Sequence, residues 1–263
     1  MTRALPRIHF NSSRLVRVLA DWSTADVAAP RESFAERLGQ WVDVADAMTL
    51  FSALNVPNVL NGPPVSTPGA EFGTSPSRQA VLQDELVRVR TDLVNGIASD
   101  EGAPSGGARI KLPQPQAGST AKGAADYSPY HRYYLAQQRE MEARIGPLRA
   151  TVRAVLSRHS STLRQLALLD AALDRALGAR ERAVLATVPQ LLEHRFVGLR
   201  MLHQRLRAES GAPEDGALSG GDGGWLAAFC SDMQRVLLAE LDLRLQPVEG
   251  LIAAYGNEVM KQQ

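Results

Sequence analysis

Apolar residues recur every three or four positions along most of this 263-residue chain, which is the spacing of one face of an α-helix. The clearest stripes follow Ser75, Ser128 and Ser160, and a further one begins at Trp225. No segment alternates apolar and polar residues with a period of two, as a half-buried strand would. The pattern therefore predicts an all-α protein, an extended helical bundle whose long helices have coiled-coil character.

The four stripes predict which side chains face the core of this bundle. The first two comprise Leu82, Leu86, Val89, Leu93 and Ile97, and then Tyr134, Met141, Ile145, Leu148, Val152 and Val155. The third comprises Leu163, Leu166, Leu169, Leu173 and Leu177, and it resumes as Leu185, Val188, Leu192, Leu199, Leu202 and Leu206. The last comprises Trp225, Phe229, Met233, Leu237, Leu241 and Leu245, followed by Val248, Ile252 and Tyr255.

Serine and proline mark the predicted starts of the long helices. Ser75-Pro76 and Ser128-Pro129 each place a capping side chain before a proline that suits the first helical turn. Ser160 or Ser161 can open the next helix in the same way. We therefore expect one helix over about 76–97 and another that starts at residue 128.

Glycine and proline also mark predicted bends. Gly146-Pro147 should kink the helix that contains it, because proline removes a hydrogen-bond donor and crowds the preceding turn. Gly178 is a possible break, Pro189 should bend its helix, and Pro247 should interrupt the last one. If the segment 179–207 is continuous, it is about 44 Å long at a rise of about 1.5 Å per residue.

Two further helices are predicted before residue 60. Ser12 or Asn11 can cap a short helix that ends near the first tryptophan. Ser33 and Glu36 form a capping box before a helix that extends to about Asn55. The main stripe of this second helix is Phe34, Leu38, Trp41, Ala45, Met48 and Ser52. Apolar residues also lie off that stripe, notably Val44 and Phe51, so we expect the helix to be buried on more than one side.

Glycine and proline are concentrated in two segments that predict linkers. Residues 61–126 contain nine Gly and seven Pro, and residues 209–224 contain six Gly and one Pro. Such segments cannot bury enough apolar surface to offset the entropy of ordering them. The predicted organisation is an N-terminal helical segment over 1–60, a linker with one helix over 61–126, and a main bundle over 127–263 with a loop at about 209–224.

The charge of the chain changes this picture in one respect. The net charge is only +1, which argues against a protein that binds polyanions through overall charge. However, Tyr127–Glu209 has fourteen Arg, no Lys and seven acidic residues, a net charge of +7. Residues 210–263 have three basic and eight acidic residues, a net charge of −5. Opposite charges on successive segments are typical of helices that pair with one another.

Targeting signals and chemical motifs are few. The first residues lack an apolar run of signal-peptide length, and no stretch has the roughly 18 apolar residues needed to span a bilayer, so we expect a cytoplasmic protein without direct membrane insertion. The lone Cys230 cannot form an intrachain disulfide, which fits a reducing compartment. No histidine pair has metal-ligand spacing, and no phosphate-binding glycine motif follows a strand. We therefore expect no catalytic, cofactor-binding or metal-binding residues.

Four of the five tyrosines lie within eight residues and give the one candidate site, a protein interaction patch. Its predicted members are Tyr127, Tyr130, His131, Arg132, Tyr133, Tyr134 and Arg139. Tyrosine and arginine are common anchors of protein interfaces. The structural interpretation is that Tyr130 and Tyr134 pack inward while Tyr127 and Tyr133 clamp the preceding linker. Stacking on single-stranded nucleic acid is a third interpretation.

Arginines on the helices after residue 127 admit two interpretations as well. The candidate basic ridge consists of Arg132, Arg139, Arg149, Arg153, Arg158 and Arg164. Such charges are usually a solvated face, here interspersed with acidic residues. A nucleic-acid-binding ridge is the alternative, although we consider nucleic acid an unlikely partner.

Five blocks of the chain resemble a known family. They are RLVRVLADW (Arg14–Trp22), FAERLGQWVDVADAMTLFSAL (Phe34–Leu54), SPYHRYYLAQQREMEARIGPLRATVR (Ser128–Arg153), LRQLALLDAALDRALGARERAVLATVPQLLEHRF (Leu163–Phe196) and WLAAFCSDMQRVLLAELDLRLQPVEGLIAA (Trp225–Ala254). Together they resemble an uncharacterised, all-helical bacterial family, a domain of unknown function with no established activity. The tyrosine block and LDLRLQPVEGL are the most specific parts of the resemblance.

The resemblance implies no catalytic residues. Members of the family tend to be encoded beside proteins that resemble a MotA-type proton channel and an OmpA-like peptidoglycan binder. The resemblance therefore implies an accessory of a motor-like assembly in the cell envelope, peripheral to the inner membrane, with a membrane-bound channel-like protein as a partner.

The leading functional expectation is a non-enzymatic structural or adaptor protein that acts through helix–helix contacts, with a protein partner or as a homo-oligomer. The first alternative is a nucleic-acid binder that uses the arginine-rich helices of 127–209. The second is an enzyme whose helical active site is assembled from distant residues, which would require a deep pocket with converging titratable groups.

Overall fold

A computed structural model describes residues 13–22, 39–55, 75–98, 112–113, 126–210 and 224–261. Of these residues 92% are helical, and none of them forms a strand. Their seven helices are α1 (Arg14–Ala20), α2 (Val44–Leu54), α3 (Ser75–Ala98), α4 (Ser128–His159), α5 (Ser161–Leu185), α6 (Val188–Ser210) and α7 (Trp225–Lys261). The predicted all-α helical bundle is confirmed. The predicted linkers lie almost entirely outside the described residues.

The chain forms two compact units, each built from segments distant in sequence. Unit 1 comprises the described residues of Met1–Ala29, Leu93–Met141 and Ala186–Leu243. Unit 2 comprises those of Pro30–Asp92, Glu142–Leu185 and Arg244–Gln263. The division at residues 60 and 126 that composition suggested stays a prediction.

The core of unit 1 is rich in large side chains from α3, α4, α6 and α7. Its main buried residues are Leu93, Ile97, Tyr130, Tyr133, Tyr134, Met141, Val188, Leu192, Phe196, Phe229, Met233, Leu237 and Leu241. The α7 residues of this unit that were predicted to face the core are therefore buried, except Trp225, which is half-buried. Steps of four residues along this stripe place each side chain close to the one a helical turn before it.

Helix α1 belongs to unit 1 and buries Leu15 and Val18. Arg14 at its start forms a 2.8 Å ion pair with Asp242 of α7. The N-cap is Ser13, whose side chain makes no capping hydrogen bond, and the predicted caps at residues 11 and 12 lie outside the described part of the chain. Packing of its apolar side therefore holds this short helix.

The core of unit 2 confirms the predicted stripe of α3 and most of that of α4. Its main buried residues are Leu82, Leu86, Val89, Ile145, Leu148, Val152, Leu156, Leu163, Ala167, Ala172, Leu245, Val248, Ile252 and Tyr255. On α4 the last core position is Leu156, and the predicted Val155 is half-buried. On α5 the predicted Leu163 and Leu185 are buried, but Leu166, Leu169, Leu173 and Leu177 are only half-buried, because the small Ala167 and Ala172 face the core instead.

The break between α5 and α6 lies at a different place from the one that the sequence suggested. Gly178 does not break α5, and the segment 179–207 is not one continuous helix, because the break falls at Ala186–Thr187. Pro189 is consequently the second residue of α6, where the first N–H groups have no intrahelical acceptor and a proline is tolerated. The proline that seemed to bend a long helix helps to start a new one.

Prolines inside α4 and α7 do not end these helices. Pro147 lies within α4, and Pro247 lies within α7, so the interruption expected at Pro247 is wrong. Leu245 and Val248 on either side of Pro247 are both fully buried. Their packing offsets the loss of one backbone hydrogen bond, which costs about 3 kcal/mol in an unsupported helix.

The predicted helix that ends near Asn55 is interrupted at residues 42–43. Asp43 begins α2 as its N-cap, and its carboxylate accepts a 2.7 Å hydrogen bond from the backbone N–H of Asp46. A local cap of this kind satisfies a helix-terminal donor and therefore favours a new helix start. The capping box at Ser33 and Glu36 lies outside the described residues.

Candidate interaction site

The structure places most of the tyrosine block in the core of unit 1. Tyr130, Tyr133 and Tyr134 of α4 are buried, and Tyr127 just before the helix is half-buried. Tyr133, which was expected to clamp the preceding linker, instead packs inward with its hydroxyl 3.4 Å from the carbonyl oxygen of Ile97. The i, i+3 and i+4 spacing of these three tyrosines puts them on one face of the helix, a signal already present in the sequence.

An aromatic cluster surrounds the start of α4. Tyr127 and Tyr130 lie with their ring centroids 5.6 and 5.8 Å from Phe196, and Tyr130 contacts Phe229 edge-on at 5.4 Å. Phe196 also contacts Trp225 and Phe229, each at 5.0 Å with steep interplanar angles. Edge-to-face pairs of this kind contribute beyond their buried area. The cluster joins α4, α6 and α7 within unit 1.

Burial also changes the chemistry of these phenols. Removal from water raises the pKa of Tyr127 and of Tyr130 well above the usual tyrosine value, because the phenolate is poorly solvated there. The Tyr127 hydroxyl donates a 2.7 Å hydrogen bond to the carbonyl oxygen of Pro189. Both side chains are therefore neutral structural groups at physiological pH.

A buried carboxylate lies beside this cluster and was not identified from the sequence. Glu240 of α7 is fully buried, and its Oε2 accepts a 2.6 Å hydrogen bond from the Tyr134 hydroxyl. The Gln138 amide nitrogen donates to both carboxylate oxygens, at 3.0 and 3.1 Å. Such a group is retained in a core only when donors satisfy it. The sequence hints at this position only through spacing. Glu240 lies three residues after the core residue Leu237 and therefore on the same side of α7.

The remaining members of the predicted patch differ in exposure. Arg132 and Arg139 are exposed, and His131 is half-buried with its ring 6.0 Å from that of Tyr127. Three of the seven predicted residues are thus buried and do not present a surface in this conformation. Binding of a partner by this patch stays a prediction, and its accessible part is the pair of arginines.

The candidate basic ridge is partly neutralised within unit 2. Arg149 donates to Asp170 at 2.6 Å and to Asp174 at 2.9 Å, and Arg153 contacts the same two carboxylates. Burial alone would raise the pKa of the Asp170 carboxyl, but hydrogen bonds and positive charge from both arginines outweigh it and hold that pKa below its usual value. These two arginines bind α5 to α4.

An exposed apolar face on α2 is the first surface that sequence reasoning missed. Val44 is 78% exposed, and Met48 and Phe51 are each 67% exposed. Leu54 is exposed as well, while the small Ala53 is the buried residue of the helix. These four exposed side chains are called the α2 face below. The expected burial of α2 on more than one side is wrong, because only the side with Leu50 and Ala53 packs inward. The predicted stripe is also wrong within α2, since Ala45, Met48 and Ser52 are exposed.

The C-terminal half of α6 carries a second such surface. Met201 and Leu202 are each 54% exposed, and Leu206 is 56% exposed. Leu202 and Leu206 were predicted core residues, and that prediction is wrong, because the buried residues of α6 all lie in its first half, from Val188 to Phe196. With Val197, these three exposed side chains are spread over about half of the helix circumference, and the four together are called the α6 face below.

The enzyme alternative would need a deep pocket with converging titratable groups. Unit 2 has a cavity of about 330 Å³ between α3 and α7. Its charged lining residues, Arg90 and Glu249, form an ion pair with each other at 3.0 Å. The rest of the lining is apolar or carries glutamine amides, so no nucleophile and base converge in this cavity.

The described part of the chain has neither a metal-binding cluster nor a membrane-spanning helix. Within them, no group of three or more His, Cys, Asp and Glu side chains is arranged to hold a metal ion. Cys230 is half-buried and is not part of a disulfide. None of the helices in that part of the chain combines the length and hydropathy required to cross a bilayer.

Comparison with curated proteins and with solved structures gives no match. A family model described as "Protein of unknown function (DUF3348)" matches residues 1–257, almost the whole chain. The two-unit helical fold, with its buried tyrosine block and its exposed faces on α2 and α6, is therefore that of a protein that belongs to this family of unknown function.

Proposed function

We propose that this chain is a non-enzymatic structural or adaptor protein that acts through contacts between its exposed helix faces and another protein. The observation that carries this proposal is the α2 face, on which Val44, Met48 and Phe51 are each at least two-thirds exposed. Their spacing of four and three residues aligns them along one side of the helix. An apolar stripe of this kind is the usual anchor set for a helix that docks in an apolar groove.

Energetics support the choice of this surface. Burying one large apolar side chain stabilises a complex by about 1.5–3 kcal/mol relative to leaving it in water. A contiguous exposed patch of a few hundred Å² on a soluble protein is often functional. The α2 face offers Phe51 and Met48, and these residue types are enriched at interface centres. The proposal therefore places the centre of the contact at these two side chains.

The cellular location and the partner are proposed in less detail than the contact surface. The resemblance described above favours a cytoplasmic location and a partner in an envelope assembly with a MotA-like channel. We propose both as expectations that follow from the family alone. The chemistry of the partner follows from the α2 face. The partner must present an apolar helical surface of similar length.

The proposal is tested by purifying the chain, with a tag and at low salt, from the cells that make it. Wild type should retain a stoichiometric protein partner, and Phe51→Asp should lose it because a charge is placed at the centre of the contact. Val81→Asp is the matched control, since Val81 of α3 is 62% exposed and lies outside both faces. Circular dichroism should show equal helix content for all three proteins. A wild-type chain that is monomeric and recovers no protein would contradict the proposed function.

Nucleic-acid binding stays the alternative, and the geometry favours it less. Arg149 and Arg153 are held by carboxylates, which lowers the charge that the ridge can offer to phosphates. The alternative expects salt-dependent binding that weakens in Arg132→Ala and Arg139→Ala variants. A gel shift at low salt with single-stranded and double-stranded probes tests it, and free probe at every concentration would eliminate it.

A further inference from the structure

We propose that Met48 is a modification site, at which oxidation of its thioether to the sulfoxide by a peroxide releases the partner of the α2 face. This inference rests on the proposed function, because it assigns a regulatory role to the centre of the same contact. Three observations carry it. The Met48 side chain is exposed, it lies between two other exposed apolar side chains, and α2 packs on the protein through a different side.

The methionines of the described residues fall into two classes of accessibility. Met141 and Met233 are fully buried in the core of unit 1, whereas Met48 is 67% exposed, Met260 is 66% exposed, and Met201 is exposed as well. Oxidation of a thioether requires contact between its sulfur atom and the oxidant, so the rate follows exposure. We therefore expect the three exposed methionines to react in the folded protein and the two buried ones to react only after unfolding.

Met48 and Met260 are equally exposed but have different surroundings. Val44 lies four residues before Met48 and Phe51 lies three residues after it, and both side chains are exposed on the same side of α2. The residues three and four positions from Met260 are glycine, asparagine and glutamine. A polar group added at Met48 therefore interrupts an apolar face, and one added at Met260 does not.

Oxidation at Met48 should leave the fold of unit 2 intact. Helix α2 packs inward through the side with Leu50 and Ala53, and the carbonyl oxygen of Leu54 accepts a 2.6 Å hydrogen bond from the Gln165 amide of α5. The Met48 side chain points to solvent. The added oxygen atom therefore meets water, and no core contact of α2 has to be given up.

The peroxide supplies both the oxygen atom and the oxidising equivalents. A lone pair of the Met48 sulfur attacks one peroxide oxygen, so that an S–O bond forms and the O–O bond breaks. The second oxygen leaves as water after proton transfer, sulfur is oxidised by two electrons, and the peroxide is reduced by two. The apolar thioether becomes a polar sulfoxide. A methionine sulfoxide reductase reverses the change with two thiols, which leave as a disulfide while the oxygen leaves as water.

A sulfoxide weakens an apolar contact in two ways. Its oxygen atom has to be removed from water without a hydrogen-bond partner, and the apolar contact of the thioether is lost. We therefore expect the affinity for the partner to fall by about 10- to 100-fold on oxidation of Met48. Val44 and Phe51 keep their contacts, so binding should be weakened rather than abolished.

Peptide mass spectrometry after timed treatment of the full chain with hydrogen peroxide tests the accessibility of each sulfur. Met48 and Met260 should be oxidised at rates within about threefold of each other. Met141 and Met233 should stay thioethers for as long as the helix signal in circular dichroism is unchanged. A Met48 sulfur that reacts as slowly as the two buried ones would overturn the inference.

The effect on binding is measured on the native complex, purified with a tagged chain from the cells that make it. Hydrogen peroxide should release the protein partner from wild type. In Met48→Leu the released fraction, relative to the untreated complex of the same variant, should fall to background. Leucine has no oxidisable sulfur, and it keeps the volume and helix propensity of methionine. Met260→Leu is the matched control, which removes an equally exposed sulfur outside the face and should leave the release unchanged.

A second variant needs no oxidant. Met48→Gln places an uncharged oxygen acceptor on an unbranched side chain of similar length, and so imitates the sulfoxide. It should recover less partner than wild type at equal helix content, whereas Met260→Gln should recover as much as wild type. Release of the partner from Met48→Leu by peroxide, or full recovery of the partner by Met48→Gln, would contradict the assigned role of Met48.

The two proposals fail in distinguishable ways. A partner that Phe51→Asp loses, but that wild type keeps after oxidation of Met48, would overturn the role of Met48 and leave the proposed function standing. A wild-type chain that recovers no protein partner would overturn both.

Discussion

Replacement of Tyr134 by phenylalanine should destabilise the protein through loss of the hydrogen bond from its hydroxyl to Glu240. The Tyr134 hydroxyl donates at 2.6 Å to Oε2 of Glu240, and both side chains are fully buried. Phenylalanine keeps the ring and its packing, so no cavity larger than one oxygen atom forms. The variant therefore reports on the satisfaction of the buried carboxylate.

The expected loss in the free energy of unfolding depends on the donors that remain at Glu240. After the change, Oε2 keeps the Gln138 amide at 3.1 Å but loses its shorter donor. A hydrogen bond to a charged group contributes about 1.5–3 kcal/mol to stability. A buried acceptor that loses this bond destabilises the folded state by a similar amount, because it stays removed from water. For a protein of this length, that loss lowers Tm by roughly 3–10 °C.

Urea unfolding followed by circular dichroism measures this loss. The midpoint should fall while the dependence of the free energy of unfolding on urea stays unchanged, because the surface exposed on unfolding is the same. Tyr133→Phe is the matched control on the same helix. Its hydroxyl lies 3.4 Å from a neutral carbonyl oxygen, so loss of that contact should cost no more than about 1 kcal/mol.

A double-mutant cycle decides whether the carboxylate is the cause. In a Glu240→Gln background the acceptor is neutral, so Tyr134→Phe should cost about 1 kcal/mol less than it does in wild type. A Tyr134→Phe cost below about 0.5 kcal/mol, or the same cost in both backgrounds, would refute the reasoning that a charged and buried acceptor depends on this hydroxyl.

Three further predictions follow from unit 1 and unit 2. Asp170→Asn should lower the free energy of unfolding at neutral pH by about 2–4 kcal/mol, because two partly buried arginines lose their shared carboxylate. Since the folded-state pKa of Asp170 lies below its unfolded value of about 3.8, the difference between wild type and variant should be complete above about pH 5. In acid unfolding curves it should decrease below pH 3.8 and disappear as pH falls through the folded-state pKa. Gly250→Ala should raise stability by about 0.5–1 kcal/mol in thermal unfolding, because open space surrounds its Cβ, whereas Gly256→Ala should gain less because its Cβ would contact the amide of Gln79. The Tyr127 phenol should ionise only when the protein unfolds, so absorbance at alkaline pH should rise together with the loss of helix signal.

The helical class and most of the buried positions could be predicted because helix periodicity is a local property. The α3 stripe from Leu82 to Ile97 and the α7 stripe from Phe229 to Tyr255 are buried at nearly every predicted position. A side chain's angular position around a helix depends only on its place in the sequence. A stripe with one clear apolar side therefore identifies its own core face.

The same reasoning fails where more than one side of a helix is apolar. In α2 both Ala53 and the larger Val44 and Phe51 are candidates for burial, and the structure buries the alanine. In α6 the apolar pattern continues past Phe196, but burial stops there. Which side packs inward depends on the neighbouring helices and their spacing, and periodicity carries no information about them.

The chemistry of the candidate site also depends partly on the sequence alone and partly on the tertiary structure. The sequence by itself showed that tyrosines and arginines cluster at the start of α4, and that opposite charges lie on successive segments. Only the tertiary structure decided that three of these tyrosines are buried, that Glu240 accepts the Tyr134 hydroxyl, and that Arg149 and Arg153 share Asp170. Pairs such as Tyr134 and Glu240 are 106 residues apart, and polar partners follow no period along the chain, so helix packing alone brings them together.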